Sequence, residues 1–173
     1  MKMFKKIMAV ALTAVMAVSM LTGCAFTDKM KNDHVLDAMG EVASAQLSST
    51  STVKTIKFES KTSLNTELKN LLKDATAENV AKYEGGKVTE DGKYIVVAVE
   101  VKKSTSSVSE FKNYAADMLA GLNQPANVKA ELSSDGKTVT VKAGVKVDGF
   151  KTADKSKTVY YAIVLVEVEP KIV

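Results

Sequence analysis

The chain has 173 residues, with 24 Lys+Arg against 20 Asp+Glu for a formal net charge of +4, one cysteine and one histidine. Every cation is lysine, because arginine is absent; arginine is the residue that makes bidentate contacts to phosphates and base edges, so nucleic acid is disfavoured as a partner despite the basic charge. A single cysteine excludes an internal disulfide, and one cysteine with one histidine leaves Cys/His catalysis without partners.

The chain opens with Lys2, Lys5 and Lys6 and no acid, followed by an apolar stretch from Ile7 to Leu21 broken only by Thr13 and Ser19. That stretch is shorter than the roughly 20 residues a helix needs to cross a hydrocarbon core, and small residues come directly after it, which is the layout of a signal peptide rather than of a retained span. Leu21, Thr22, Gly23 and Cys24 then supply an aliphatic residue, two small residues and the only cysteine. On these residues the leader resembles the lipobox of the bacterial lipoproteins, and the resemblance ends with the leader.

The resemblance implies chemistry on one atom. The Cys24 sulfur accepts a diacylglyceryl group, a signal peptidase that recognises Leu21, Thr22 and Gly23 cuts before Cys24, and the new amine is often acylated as well. Two or more acyl chains anchor a protein stably where one does so marginally. The implied address is the cell membrane, lipid-anchored and facing outside the cytoplasm. No cofactor is expected beyond that covalent lipid.

Removing the leader changes the composition. Three of the 24 lysines lie in it, leaving 21 against 20 acids, and so do five of the eight methionines. The remainder is close to neutral and lacks a methionine-rich binding surface. The expected organisation is a cleaved signal peptide over 1–23, a lipidated tether over 24–32, a short helix and Ser/Thr linker over 33–52, and one α+β domain over 53–173.

In chain order, Asp33 caps a helix running to Gln46, with Val35, Met39 and Val42 near one face and Gly40 interrupting the stripe; the run Ser48 to Thr52 ends it. The lone His34 lies here and is expected to be solvated. Val53 to Glu59 is β-prone, and Leu64, Leu68, Leu71, Leu72, Ala75 and Val80 recur at helical spacing behind Ser63 as N-cap, with Gly85-Gly86 terminating the segment after Tyr83. Asp91-Gly92 between Lys87–Glu90 and Lys93–Lys102 predicts a tight type I′ hairpin. Tyr94 to Val99 is apolar on both alternate faces, which predicts an interior strand. Ser107 and Glu110 have capping-box spacing ahead of a helix carrying Val108, Phe111, Ala115, Met118, Leu119 and Leu122, closed by Gly121. After Pro125 a second hairpin turns at Asp135-Gly136, with Val139, Val141, Ala143, Val145 and Val147 on one strand face. Thr158 to Glu169 is apolar on both faces and belongs at the sheet centre.

These elements predict an α+β fold: an antiparallel or mixed sheet of five or six strands with the two main helices on one face. An immunoglobulin-like sandwich is the alternative, disfavoured by the helix over 107–122. The two Asp-Gly-Lys turns lie 44 residues apart, as two copies of one unit or as coincidence.

Motifs of catalysis are absent: no Gly-rich phosphate loop, no HExxH, no GxSxG and no EF-hand spacing. Glu100 and Glu167, near the ends of the two most apolar strands, are the pair from which acid–base chemistry would be assembled, although strand-end glutamates are usually solvated. Asp148 and Asp154 flank a turn that is expected to be solvated rather than to hold calcium. Tyr94 and Tyr160 form the candidate recognition surface, on a helix-free sheet face. These residues leave two functions open. The favoured one is a non-catalytic binding module of the cell envelope, recognising another envelope protein or a wall polymer. The alternative is an envelope hydrolase or isomerase using Glu/Tyr groups.

Overall fold

The computed structural model describes residues 28–123 and 127–169. The elements are α1 (Asp28–Ala45), β1 (Thr55–Ser60), α2 (Thr62–Leu71), α3 (Ala77–Ala81), β2 (Lys87–Val88), β3 (Tyr94–Glu100), α4 (Val108–Leu122), β4 (Glu131–Leu132), β5 (Thr138–Lys151) and β6 (Thr158–Glu167). They form one mixed sheet in the order β1-β5-β6-β3-β2, with β4 also paired to β5. β1 runs parallel to β5, and the remaining pairs are antiparallel. The fold is α+β, and a single helix-covered sheet replaces the immunoglobulin-like alternative.

The layering departs from expectation. α1 and α4 cover one face over Ile95, Val97, Val141, Val145, Ala162 and Val164. α2 and α3 cover the other, where Leu64, Leu68 and Val80 meet Val96, Ala98, Ile163 and Leu165. The two main helices therefore sit on opposite faces, and no central part of the sheet is helix-free. The physical reason lies in β3 and β6 themselves: with both alternate faces apolar, each needs cover on both sides.

The boundary expected at residue 53 also moves. Val35, Leu36, Ala38 and Met39 of α1 are buried in the main core, and the Asn32 carboxamide, expected in a tether, accepts the backbone N–H of Val147 at 2.9 Å. Gly40 does not interrupt this helix. It lets α1 approach β1, since a Cβ there would stand 3.1 Å from the Ile56 carbonyl oxygen.

The expected helix over Leu64 to Val80 is two helices, broken where Asp74 takes φ 57°. Thr76 and Asn79 then start α3 with reciprocal capping contacts. Lys61, not Ser63, holds the N-cap position of α2 without a side-chain bond. The helix is fixed instead by Asn65, whose carboxamide accepts the Val145 N–H at 2.9 Å. The expected capping box of α4 is present: Glu110 N–H donates to Ser107 Oγ at 3.2 Å, and the Glu110 carboxylate accepts Ser107 N–H at 3.0 Å.

Both Asp-Gly hairpins form, but with a different turn. Gly92 N–H donates to Thr89 O and Gly136 N–H to Ser133 O, and only the glycines, at φ 70°, have positive φ there. That is a turn with right-handed central residues followed by a left-handed glycine, not a type I′ turn, which needs two positive φ values.

A third turn of the same build joins β5 to β6. Lys155 N–H donates to Thr152 O, and Lys155 takes φ 59° where the others have glycine. In all three a hydroxyl donates to an aspartate at 2.6 Å: Thr89 to Asp91, Ser133 to Asp135 and Thr152 to Asp154. The recurrence thus extends beyond the two Asp-Gly-Lys sites, and Lys155 hid the third from a search for Asp-Gly.

Candidate functional site

The concave feature of interest is a shallow, open groove of about 500 Å³ along the outer edge of β3. Its position is set by strand length. β2 is two residues long and pairs only with Ile95 and Val96, and Tyr83 and Glu84 extend the cover by one bridge, to Ala98. Val101 bonds to Tyr160 of β6 and Lys93 to Val168, so the alternate residues Tyr94, Val96, Ala98 and Glu100 direct their backbone groups away from β6. At Glu100 no strand among the described residues lies beyond that edge. Among the described residues Glu100 is thus the one outward-facing position of β3 left open, and an uncovered strand edge is where a strand can be added.

Three elements line the groove. β3 contributes Ala98, Val99 and Glu100, α4 contributes Tyr114, Asp117, Ala120 and Gly121, and the α3–β2 loop contributes Glu84 and Gly85. Its charged lining is acidic throughout, from Glu84, Glu100 and Asp117. α4 comes close because Gly121 carries no side chain: a Cβ there would stand 2.8 Å from Val97 Cγ1. Gly121 is therefore a packing residue within the helix, which runs one residue further to Leu122, rather than its terminator.

Two of these acids, Glu84 and Glu100, also act on Tyr161. Tyr161 is buried on the α2/α3 face; burial first, and then the charges of Glu84 and Glu100, push its hydroxyl above the ordinary tyrosine range. Burial, with Glu90 second, does the same to Tyr83.

The residues anticipated as sites are dispersed. Glu100 lies opposite Tyr161 and Glu167 opposite Tyr94. Six residues along β6 therefore separate the two glutamates by roughly 20 Å, and they do not form a carboxylate pair. Glu167 instead meets Lys129 at 3.3 Å and Lys61 at 3.8 Å. Tyr94 and Tyr160 do not share a patch either. Tyr94 packs on the α2/α3 face and Tyr160 on the α1/α4 face, at opposite ends of the strands. Tyr160 lies over Gly149, where a Cβ would meet its ring at 2.9 Å, and Lys103 Nζ stands 5.9 Å from the ring centre.

Asp154 ties its own turn, accepting Thr152 Oγ1 at 2.6 Å and Ser156 N–H at 3.0 Å. These bonds hold its carboxyl down to about 2. Asp148 faces Lys146 at 3.1 Å. His34 is half-buried, not solvated: its Nδ1 lies 2.7 Å from the Ser106 carbonyl oxygen, and since a carbonyl only accepts, Nδ1 carries the hydrogen. Among the described residues no group of three His, Cys, Asp or Glu side chains is placed to hold a metal ion.

Leu21, Thr22, Gly23 and Cys24 lie outside the described residues. Glu84, Tyr114 and Asp117 carry no sequence signal of their own; the one legible hint was the shortness of Lys87–Glu90 beside the long run from Tyr94. No family model matches this chain, and no curated protein and no solved structure is significantly similar to it.

Proposed function

We propose that the protein is a lipid-anchored lipoprotein of the bacterial envelope that acts as a non-catalytic binding module, recognising an extended, lysine-bearing segment of another envelope component along the open edge of β3. The anchor rests on Leu21-Thr22-Gly23-Cys24 behind a lysine-then-apolar leader. The observation that carries the binding role is the pairing of an uncovered strand edge at Glu100 with a groove whose charges are Glu84, Glu100 and Asp117. An added strand gains backbone hydrogen bonds, and three carboxylates favour a cationic partner and disfavour an acidic one. The dispersal of Glu100, Glu167 and Tyr160 gives the hydrolase or isomerase reading no favouring observation.

Two measurements test the proposal. Detergent-phase partitioning of the native protein, lost in Cys24→Ser, is expected; a Cys24→Ser protein that still partitions overturns the anchor. A fluorescent, extended Lys-containing peptide is expected to bind with an affinity at least fivefold weaker to the variant carrying Glu84→Gln, Glu100→Gln and Asp117→Asn. Equal binding by this variant, or equal binding of a Glu-containing peptide to the native protein, overturns the groove as the recognition site.

A further inference from the structure

The fold starts very close to the proposed anchor. Four peptide units separate Cys24 from Asp28, the first residue of α1, so the chain between them spans at most about 14 Å. α1 cannot be lifted clear of the bilayer on a long tether, because its body is locked into the core through Val35, Leu36 and Met39.

The start of α1 shares one end of the molecule with two loops. Asn32 bonds to Val147 and His34 to Ser106, which places the beginning of the helix beside the second half of β5 and the β3–α4 loop. Glu100 of β3 and Lys151 of β5 lie opposite Tyr161 and Thr158 at the start of β6, so the β3–α4 loop and the β5–β6 turn leave the sheet at this same end. Here stand Lys29, Lys102, Lys103, Lys151, Lys155 and Lys157, all exposed and none in an ion pair among the described residues.

Of the carboxylates at this end, Asp33 and Glu100 are exposed, and four others are engaged within the fold. Asp154 is bonded in its turn, Glu110 in the capping box, Glu78 to the Ala153 N–H at 3.0 Å, and Asp148 to Lys146. Met30, in the first turn of α1, is 42% exposed. At the opposite end Lys93 faces Asp91, while Lys129 and Lys61 face Glu167.

We infer that the end of the domain formed by the first turn of α1, the β3–α4 loop and the β5–β6 turn lies against the bilayer, with its lysines on anionic headgroups and Met30 in the interface. This inference rests on the lipid-anchor reading. Lysines near an anionic surface are attracted to it over about a Debye length, on the order of 8 Å at physiological salt, and the connection of at most about 14 Å lets this end settle into that range.

The experiment uses the full lipidated protein in vesicles of phosphatidylcholine with or without phosphatidylglycerol. Lipidation consumes the native thiol, so single reporter cysteines label cleanly: Ser104→Cys and Ala153→Cys at the proposed membrane end, Glu90→Cys and Ser134→Cys at the other. A quencher carried on lipid headgroups is expected to quench the first pair at least threefold more than the second, with a larger contrast when phosphatidylglycerol is present. Vesicle flotation with equal or reversed quenching overturns the orientation while leaving the anchor intact; failure to float overturns the anchor and this inference with it. A contrast unchanged by phosphatidylglycerol, or by Lys102→Gln with Lys103→Gln and Lys155→Gln, overturns the role of the lysines.

Discussion

A methyl group at Gly86 would lie 2.1 Å from the carbonyl oxygen of Gly121. This backbone-to-backbone contact joins the α3–β2 loop to α4 and fixes the width of the groove that Gly85 and Gly121 line. Gly86 also takes φ 85°, so both the space and the conformation demand glycine.

Gly86→Ala is therefore expected to lose about 3 kcal/mol or more, combining overpacking with the cost of a left-handed residue. Gly85→Ala, with φ 74° but nothing within 4 Å of the new methyl, should lose only about 1 kcal/mol. Urea denaturation of the two variants checks the difference, and equal losses would show that conformation alone sets the requirement.

The three matching turns differ at one position, where Lys155 holds the left-handed conformation that Gly92 and Gly136 hold elsewhere. Lys155→Gly removes that strain at some cost in chain entropy and should stabilise the protein by about 0.5 kcal/mol, read as a raised urea midpoint. Gly136→Ala, the reciprocal change, should destabilise by about 1 kcal/mol.

Acid should weaken the fold through the same turns. Hydroxyl and backbone bonds hold Asp91, Asp135 and Asp154 below the ordinary aspartate range, Asp154 to about 2. A depressed carboxyl contributes stability that is complete above its unfolded value of about 3.9 and is lost as pH falls through the folded value. Denaturation midpoints are expected to drop between about pH 4 and pH 2. Asp154→Asn keeps an acceptor without a titrating charge, so its midpoint should fall less steeply across that window.

Burial of α1 makes a specific demand on its apolar face. Met39 is fully buried against the sheet, and Met39→Ala is expected to cost about 2–5 kcal/mol by leaving a cavity. A chain starting at residue 53 should lack cooperative thermal unfolding, whereas an independent 53–173 domain would unfold with an unchanged midpoint.

Much of the fold was legible locally. Ser107 and Glu110 announce a helix start because the capping contacts join residues three apart, and alternation over Val139 to Val147 locates a buried strand face because strand side chains repeat every two residues. The break at Asp74 was hidden by apolar spacing that continues through it, and the signal that could have found it is the Thr76–Asn79 pair starting α3. The groove was not legible, since Glu84, Glu100 and Asp117 come from three separate elements and meet only through the edge position of β3.

By itself the sequence determined the element types, the hairpin positions and the leader that proposes an address, all of which depend on interactions between near neighbours in the chain. Only the tertiary structure decided which face each helix covers, that α1 belongs to the core, that Tyr94 and Tyr160 are apart, and that β3 keeps an open edge. These depend on strand order and register, which arise from contacts between segments far apart in the chain, where one apolar stripe is chemically much like another.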